Sequence, residues 1–351
     1  MQQTRLGKQL GIQFPLIQAP MAGGATTPSL VAAVCNAGGL GSLGAGYLTA
    51  DELRENILKI RALTDKPFVV NLFIPEITTA SEQQIQQACK VITKACIELK
   101  HEVKPVNPPY APSFEEQMKV ILDERIPIFS FTFGVLAPHW VNKLKNNTLL
   151  IGTATTVEEA LLLEKSGIDI LVVQGKEAGG HRGTFLGKAE DALLELTELL
   201  SLLKVQVKIP VIAAGGIMNS EHIAKTLTLG AAGIQMGTAF LTCLESGIHP
   251  KYKEALLTCQ KDNTVLTMAF SGKFARGIRN KFTERLANQQ SAILAYPIQN
   301  ALTRSMRVEA AKQNCPDFMA LWAGQAAYLC QEKSAADLVR ELTNEIIEFN
   351  E

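Results

Sequence analysis

The sequence has no excess of charge of either sign. Lysine plus arginine and aspartate plus glutamate each number 34 among 351 residues, so the formal net charge is zero. Proteins that bind polyanions through general electrostatics usually carry a basic excess, and we therefore expect no nucleic-acid partner. The apolar runs also fall short of the ~20 residues that a membrane-spanning helix requires. We expect no membrane partner.

Cysteine is scarce and shows no pairing pattern. The seven cysteines form no CxxC pair, and no histidine stands near them at metal-ligand spacing. An odd number of scattered cysteines is typical of a reducing compartment, where they serve as packing residues. The first residues, MQQTR, show no apolar signal segment. These features predict a cytoplasmic protein without a metal site.

Aromatic residues make up only 6% of the chain, although 47% of it is hydrophobic. The apolar residues are therefore mainly Ala, Leu, Ile and Val, which suit helices packed on a parallel sheet. Short apolar runs alternate with helical patterns eight times. The predicted strands cover residues 15–22, 39–44, 67–73, 127–134, 148–153, 170–174, 210–216 and 233–238.

Eight alternating strands and helices predict an α/β fold, a (β/α)8 TIM barrel, because consecutive parallel strands need helical crossovers. An open, doubly wound sheet is the competing architecture. It normally has a GxGxxG turn after the first strand, whereas residues 20–24 read PMAGG. The sequence therefore favours the barrel.

The barrel is expected to occupy residues 1–245. An insertion at about residues 75–113 interrupts the pattern after the third strand. It contains a helical stretch and four prolines around Tyr110, and loops of this length are often lids or binding segments. Beyond residue 245 the alternation stops, and helical patterns predict a mostly helical C-terminal part, residues 246–351, that packs on the barrel.

The stretch ILVVQGKEAGGHRGT, residues 170–184, is the strongest candidate for a catalytic segment. A buried strand is expected to end at Gln174, and glycines then surround His181. Glycine lets backbone N–H groups approach a ligand closely, and histidine titrates near neutral pH. We predict that His181 is the chemical centre. A glycine-rich connection with a surface histidine is the alternative.

The C-terminal strand ends of a TIM barrel converge on one face and form the active site. Glycine-rich turns after the seventh and eighth strands are typical of phosphate binding through backbone N–H groups. The amides of Asn71 and Gln174, at other strand ends, suit the edge of a heterocycle. The predicted ends supply no carboxylate pair, metal cluster or activated nucleophile. Redox chemistry on flavin mononucleotide (FMN) is the remaining interpretation.

Several segments carry a resemblance to a known family. They are APMAGG at residues 19–24, FTFG at 131–134, QGKEAGGHRGT at 174–184, AAGGI at 213–217, QMGT at 235–238 and WAGQA at 322–326. The chain resembles the nitronate monooxygenases, formerly called 2-nitropropane dioxygenases, and most of all the class that acts on propionate 3-nitronate. The resemblance covers nearly the whole chain, and its most specific element is the block at residues 177–184.

The resemblance implies a set of site residues. His181 would be the catalytic histidine, which either takes the α-proton of a neutral nitroalkane or orients an ionised nitronate. The implied FMN contacts are Met21, Asn71, Gln174, Gly179, Gly180, Gly215, Gly216, Gln235, Met236, Gly237 and Thr238.

The resemblance also implies a reaction. An alkyl nitronate passes one electron to the flavin, and the semiquinone reacts with dioxygen. A carbonyl compound and nitrite or nitrate are formed, reduced nicotinamide is not consumed, and the role is detoxification.

The substrate side of the site is expected on the helical pattern that begins at residue 297. Nitronates are anions and propionate 3-nitronate is a dianion, so the pocket needs cationic or hydrogen-bonding partners. Tyr296, Asn300 and Arg304 recur at i, i+4 and i+8 and are expected to share one helix face. With Tyr110 they are predicted to bind the substrate. An ordinary solvated face is the alternative.

Other assignments stay open. His139, after the fourth strand, is the second candidate for a catalytic base. An FMN-dependent NAD(P)H:quinone or enoyl-thioester reductase would use the same barrel, and a non-catalytic FMN-binding protein would keep the fold without turnover. Lys273, Arg276 and Arg279 are candidates to contact the flavin phosphate or a neighbouring subunit of a homo-oligomer.

Overall fold

Eight parallel strands form a closed barrel in the computed structural model, which describes residues 4–349. The strands within that range are β1 (Leu16–Gln18), β2 (Ser42–Gly44), β3 (Val69–Phe73), β4 (Ile128–Thr132), β5 (Leu149–Ala154), β6 (Ile170–Gln174), β7 (Gly180–His181), β8 (Val211–Ala214), β9 (Gly233–Met236), β10 (Thr264–Thr267) and β11 (Ala275–Ile278). Neighbours in the barrel follow the order β1-β9-β8-β6-β5-β4-β3-β2. A parallel bridge between Ile17 and Leu40 closes the cylinder. The predicted (β/α)8 barrel is confirmed.

Helices connect the barrel strands and build much of the C-terminal part. They are α1 (Arg5–Leu10), α2 (Pro28–Asn36), α3 (Ala50–Leu63), α4 (Glu82–Ala95), α5 (Phe114–Asp123), α6 (Pro138–Leu144), α7 (Val157–Lys165), α8 (Leu196–Leu203), α9 (Ser220–Thr228), α10 (Thr238–Leu241), α11 (Pro250–Leu257), α12 (Lys281–Leu286), α13 (Ile298–Lys312) and α14 (Ala335–Phe349). Many start at a capping side chain: Thr27 caps α2, and Thr49 forms a capping box with Glu52 in α3. Within residues 4–349, every helix is too short or too polar to cross a bilayer.

The barrel interior is a packed apolar core. Val69, Ile128 and Ile212 belong to one buried cluster of strand residues, as expected where alternate side chains point inward. Leu6 and Leu10 of α1 join this cluster and close the N-terminal end of the barrel. The seven cysteines are free, and five of them are buried. The filled interior leaves the C-terminal strand ends as the place for a ligand.

The inserted helix α4 and the C-terminal part share a second core. Ile85 and Ile92 of α4 lie in one buried cluster with Leu302 and Met306 of α13. The C-terminal part also contains a β10–β11 hairpin, which pairs antiparallel with β7. The sequence pattern does not predict this sheet, because β7 has only two residues and β10 is half-buried throughout. The division of the chain at residue 245 stays a prediction.

A buried carboxylate ties the turn after β5 to the loop after β6. Glu159, in the first turn of α7, is fully buried. It accepts hydrogen bonds from the backbone N–H groups of Thr155, Phe185 and Leu186 at 2.6, 2.6 and 2.9 Å. The Thr155 hydroxyl donates a fourth bond of 2.8 Å. One side chain therefore satisfies the donors of two loops at the active end of the barrel.

Glu159→Gln is expected to lower thermal stability, because an amide presents its own N–H groups to these backbone donors. A buried donor left unpaired costs about 1–3 kcal/mol, so the midpoint of unfolding, measured by circular dichroism, should fall by about 1–4 °C. Glu158→Gln is the matched control, since Glu158 is exposed. Equal midpoints for the two variants would contradict the role of Glu159.

Candidate active site

His181 lies on β7, between the barrel and the C-terminal hairpin. Its backbone pairs with Ala275 of β11. On the barrel side, the amide of Gln174 donates to the carbonyl of His181 at 3.0 Å and accepts from the N–H of Gly183 at 2.8 Å. The loop after β6 is therefore held at both edges. Gly180, with φ of 72°, supplies the backbone conformation that this path requires.

Arg182 anchors the same loop from within the protein. Its side chain is 1% exposed, and its guanidinium donates to the carbonyls of Gln174 at 2.9 Å, Gly175 at 2.5 Å and Ala192 at 3.1 Å. Burial lowers the pKa of Arg182 to about 10, so the group remains charged at neutral pH. Three carbonyl dipoles thus hold a buried cation directly beside His181.

Aromatic rings surround the His181 imidazole. The ring centroids of Phe133, Tyr296 and Trp322 lie 6.0, 6.1 and 5.3 Å from that of His181. The Nε2 atom is shielded from solvent and has no hydrogen-bond partner among the described residues. Because an unpaired buried polar atom costs about 1–3 kcal/mol, this atom is placed for a ligand.

Two cations act on this imidazole. Burial, and secondarily the charges of Lys273 and Arg307, lower the pKa of His181 from 6.5 to about 3. The Lys273 ammonium lies 4.7 Å from the centre of the Phe133 ring and pairs with Glu76 at 2.6 Å. His181 is therefore neutral at pH 7, and it lies in a region of positive potential that favours an anionic ligand.

Glycine turns after β8 and β9 form one side of the site. Gly215 and Gly216 have φ of 126° and 69°, which other residues rarely adopt. A Cβ on Gly237 would lie 3.5 Å from the Cβ of Ala19 and 3.6 Å from the sulfur of Met21. The turn after β9 therefore packs directly on the residues that follow β1, as the predicted convergence of strand ends requires.

The C-terminal segment that contains Gly324 packs on the same side of the site. The N–H of Gly324 donates to the hydroxyl of Thr238 at 3.0 Å. A Cβ on Gly179 would lie 2.5 Å from that nitrogen, so only glycine fits there, whereas a Cβ on Gly180 would meet no atom within 4 Å. Bare backbone facing open space suits close approach by a phosphate and a flat ring. The residues present fit FMN.

The remaining residues predicted to contact the flavin also form hydrogen bonds or packing contacts within the barrel. Asn71 is buried and donates to the Ser130 hydroxyl of β4 at 2.8 Å. Met236 is buried in the core between strands and helices, and its carbonyl accepts from the N–H of Ala19 at 2.8 Å. Gln235 is half-buried beside it. Part of the hydrogen-bonding capacity at these strand ends is therefore used within the protein.

Of the four residues predicted to bind the substrate, only some lie near His181. Tyr296 is buried beside His181, Arg304 is exposed, and Tyr110 packs half-buried against the second core. Asn300 is half-buried. Tyr296 precedes α13, which begins at Ile298 after a cap at Pro297, so it does not share a helix face with Asn300 and Arg304.

Arg307 lies on the same face of α13 as Asn300. It is seven residues after Asn300, a rotation of only about 20°. Its Nη2 donates to the backbone carbonyl and to the side-chain oxygen of Asn300, both at 2.9 Å. The i+7 spacing from Asn300 is the signal that could have identified Arg307 from the sequence.

The other candidate site residues, His139, Arg276 and Arg279, lie away from the His181 imidazole or bind backbone. His139 is exposed and packs on Trp140, with ring centroids 4.9 Å apart, so the solvent-shielded candidate base is His181. Arg276 donates to the carbonyl of Lys176 at 3.0 Å, and Arg279 is exposed. Sequence reasoning missed Phe133, Arg307 and Trp322, which act on or contact His181, although two of them stand inside the motifs FTFG and WAGQA.

His181 is expected to stay neutral between pH 8 and pH 5, which the NMR shifts of its ring carbons would report. Because its folded pKa lies below 6.5, the unfolded chain binds the proton first, and His181 reduces stability as the pH falls below that value. Lys273→Met should raise the pKa of His181 but leave it below 6.5, since burial is the larger cause. A wild-type titration midpoint near 6.5 would contradict this account.

Comparison with known proteins identifies the family. The family model for nitronate monooxygenase matches residues 3–345. A probable nitronate monooxygenase of Bacillus subtilis (strain 168) is 43% identical over 347 residues, which cover 97% of this chain and 99% of that protein. Nitroalkane oxidase from Streptomyces ansochromogenes has a TM-score of 0.90 and 39% identity over 98% of both chains. FabK from Thermotoga maritima has a TM-score of 0.77 and 29% identity over 100% of this chain and 98% of its own.

The overall structure and the sequence motifs agree with the family model, the sequence relative and the solved structures. The resemblance found in the sequence is confirmed, and the chain belongs to the nitronate monooxygenase family, whose members are flavin-dependent oxidoreductases.

Proposed function

We propose that this protein oxidises alkyl nitronates with dioxygen, with FMN as cofactor and propionate 3-nitronate as the preferred substrate, in a detoxifying role. The observation that carries the proposal is the shielded, unpartnered Nε2 of His181. It lies among aromatic rings and under the influence of Lys273 and Arg307. Such a pocket rejects cations and attracts a small anion with an apolar chain.

The electrostatics favour one of the two roles that the sequence leaves open for His181. A general base must hold the proton it takes, and a pKa of about 3 makes the imidazolium unfavourable in the free site. A nitronate that is already ionised needs no base. We propose that the neutral ring of His181 orients such an anion by a hydrogen bond from Nε2, while Lys273 and Arg307 balance its charge.

FMN would supply the redox chemistry when bound, by accepting electrons from the nitronate and delivering them to dioxygen. The turns at Gly215–Gly216 and 235–238 would hold its phosphate end, and Met21, Asn71, Gln174, Gly179 and Gly180 would contact the rest. The bare backbone at Gly180 and the forced glycine at Gly179 support this placement. The rings of Phe133 and Trp322 would exclude water from the reacting atoms.

His181→Asn is expected to lower kcat/KM for nitronates by at least about 100-fold, as the loss of one preorganised hydrogen-bond donor does, with the FMN content and visible spectrum retained. His139→Asn, an exposed histidine of the same chain, is the control and should keep full activity. Oxygen uptake and nitrite release on addition of a nitronate measure the activity. Full activity of His181→Asn would contradict the role of this residue.

The competing functions give different results with wild-type protein. Anaerobic mixing with NADH or NADPH should leave the flavin colour unchanged. Rapid bleaching would instead favour an NAD(P)H:quinone or enoyl-thioester reductase. Absence of turnover with both nitronates and reduced nicotinamides would favour a non-catalytic FMN-binding protein.

A further inference from the structure

The imidazole of His181 is not oriented by a hydrogen bond within the protein. Its backbone is held by the amide of Gln174 and by pairing with Ala275. Within the described residues, however, neither ring nitrogen has a hydrogen-bond partner. Functional histidines are usually aligned by a carboxylate or carbonyl that accepts from the second ring nitrogen, and rotation about the Cβ–Cγ bond has only a weak preference of its own. Another contact therefore sets the orientation of this ring.

Trp322 is the aromatic residue closest to the imidazole. The two ring centroids are 5.3 Å apart and the ring planes are inclined by 56°, whereas the rings of Phe133 and Tyr296 lie 6.0 and 6.1 Å from His181. Tilted and edge-on contacts between aromatic rings are attractive at such distances, and close packing restricts rotation. Trp322 is therefore the residue best placed to restrict the imidazole.

Strand β11 explains why these two side chains meet. Ala275 of β11 pairs with His181, and Gly277, two residues further along, bridges to Trp322. The hairpin partner β10 occupies the other edge of β11, so His181 and Trp322 lie on the same edge. Residues two apart on a strand face the same side of the sheet, and directly opposed residues share that side. The imidazole and the indole ring are therefore neighbours on one face.

Trp322 is itself held through its ring and its backbone. The buried ring of Phe270 contacts the indole edge-on, with centroids 5.6 Å apart and planes at 84°. A Cβ on Gly277 would lie 3.1 Å from the indole ring, so the ring packs against bare backbone of β11. The hydroxyl of Tyr252 donates a hydrogen bond to the carbonyl of Trp322. The ring beside His181 thus has little freedom of its own.

We infer that Trp322 is a positioning residue, whose indole ring holds the imidazole of His181 in the orientation that directs Nε2 at the nitronate. The inference rests on the proposed function and assigns Trp322 no contact with the substrate. Alignment matters because a misplacement of about 1 Å can cost about 100-fold in rate. A carboxylate partner would also align the imidazole, but its negative charge would repel an anionic substrate. A neutral ring avoids that conflict.

The first test is a double-mutant cycle in the FMN-loaded enzyme. Trp322→Leu should lower kcat/KM for nitronates by about 10- to 100-fold at unchanged FMN content, and Trp322→Phe, which keeps a ring, should recover most of this loss. Added to His181→Asn, Trp322→Leu should cause less than about threefold further loss, because the group that it positions is absent. Losses that multiply in the double variant would overturn the inference. Trp140→Phe, which changes the other tryptophan of the chain, is the control and should keep full activity.

The second test measures the motion of the imidazole and needs no turnover. In FMN-loaded protein with ¹³C-labelled histidine rings, NMR relaxation gives the order parameter of the His181 ring, whose signal is assigned by its loss in His181→Asn. We expect about 0.85, the value of rigid backbone, in wild-type protein and in Trp322→Phe, and less than about 0.6 in Trp322→Leu. A mobile ring in wild-type protein, or a rigid one in Trp322→Leu, would overturn the inference. If wild-type protein oxidised no nitronate, the proposed function would fail, but a rigid ring that depends on Trp322 would still support the positioning.

Discussion

A buried guanidinium fixes the loop on which the whole site depends. Arg182 uses its hydrogen bonds on backbone carbonyls of the strand end and of the returning chain, and the amide of Gln174 holds the opposite edge of the loop. The position of His181 therefore follows from contacts to its backbone and to its neighbour. Its side chain is not needed to hold the loop, so Nε2 is left available for a ligand.

The charges around the imidazole are arranged unevenly. Glu76 balances Lys273, whereas Arg307 is held by neutral oxygens of Asn300. The net effect is a positive pocket with one cation still open to an anion. A neutral histidine in this surrounding is better suited to bind a charged substrate than to create that charge. The electrostatics and the family assignment agree on the same chemical class of substrate.

The sequence predicted the barrel because its signals are local. Apolar runs, capping residues such as Thr49 and glycine turns such as Gly215–Gly216 depend on neighbours a few residues away. The β7–β11 pairing could not be predicted in this way, since a strand of two residues has no periodicity and its partner stands about 90 residues later in the chain. The i, i+4 and i+8 spacing pointed to Arg304 because it counted Tyr296 as part of the helix, whereas α13 begins at Ile298.

The contacts of His181 come from two regions of the chain with different roles. The barrel supplies the glycine turns and Phe133, while Tyr296, Arg307 and Trp322 lie beyond residue 245. On the proposed function, electron transfer depends on the first region and substrate selection on the second. Mutations in the C-terminal region would therefore change which nitro compounds the enzyme accepts, while the flavin-binding residues of the barrel stay the same during evolution.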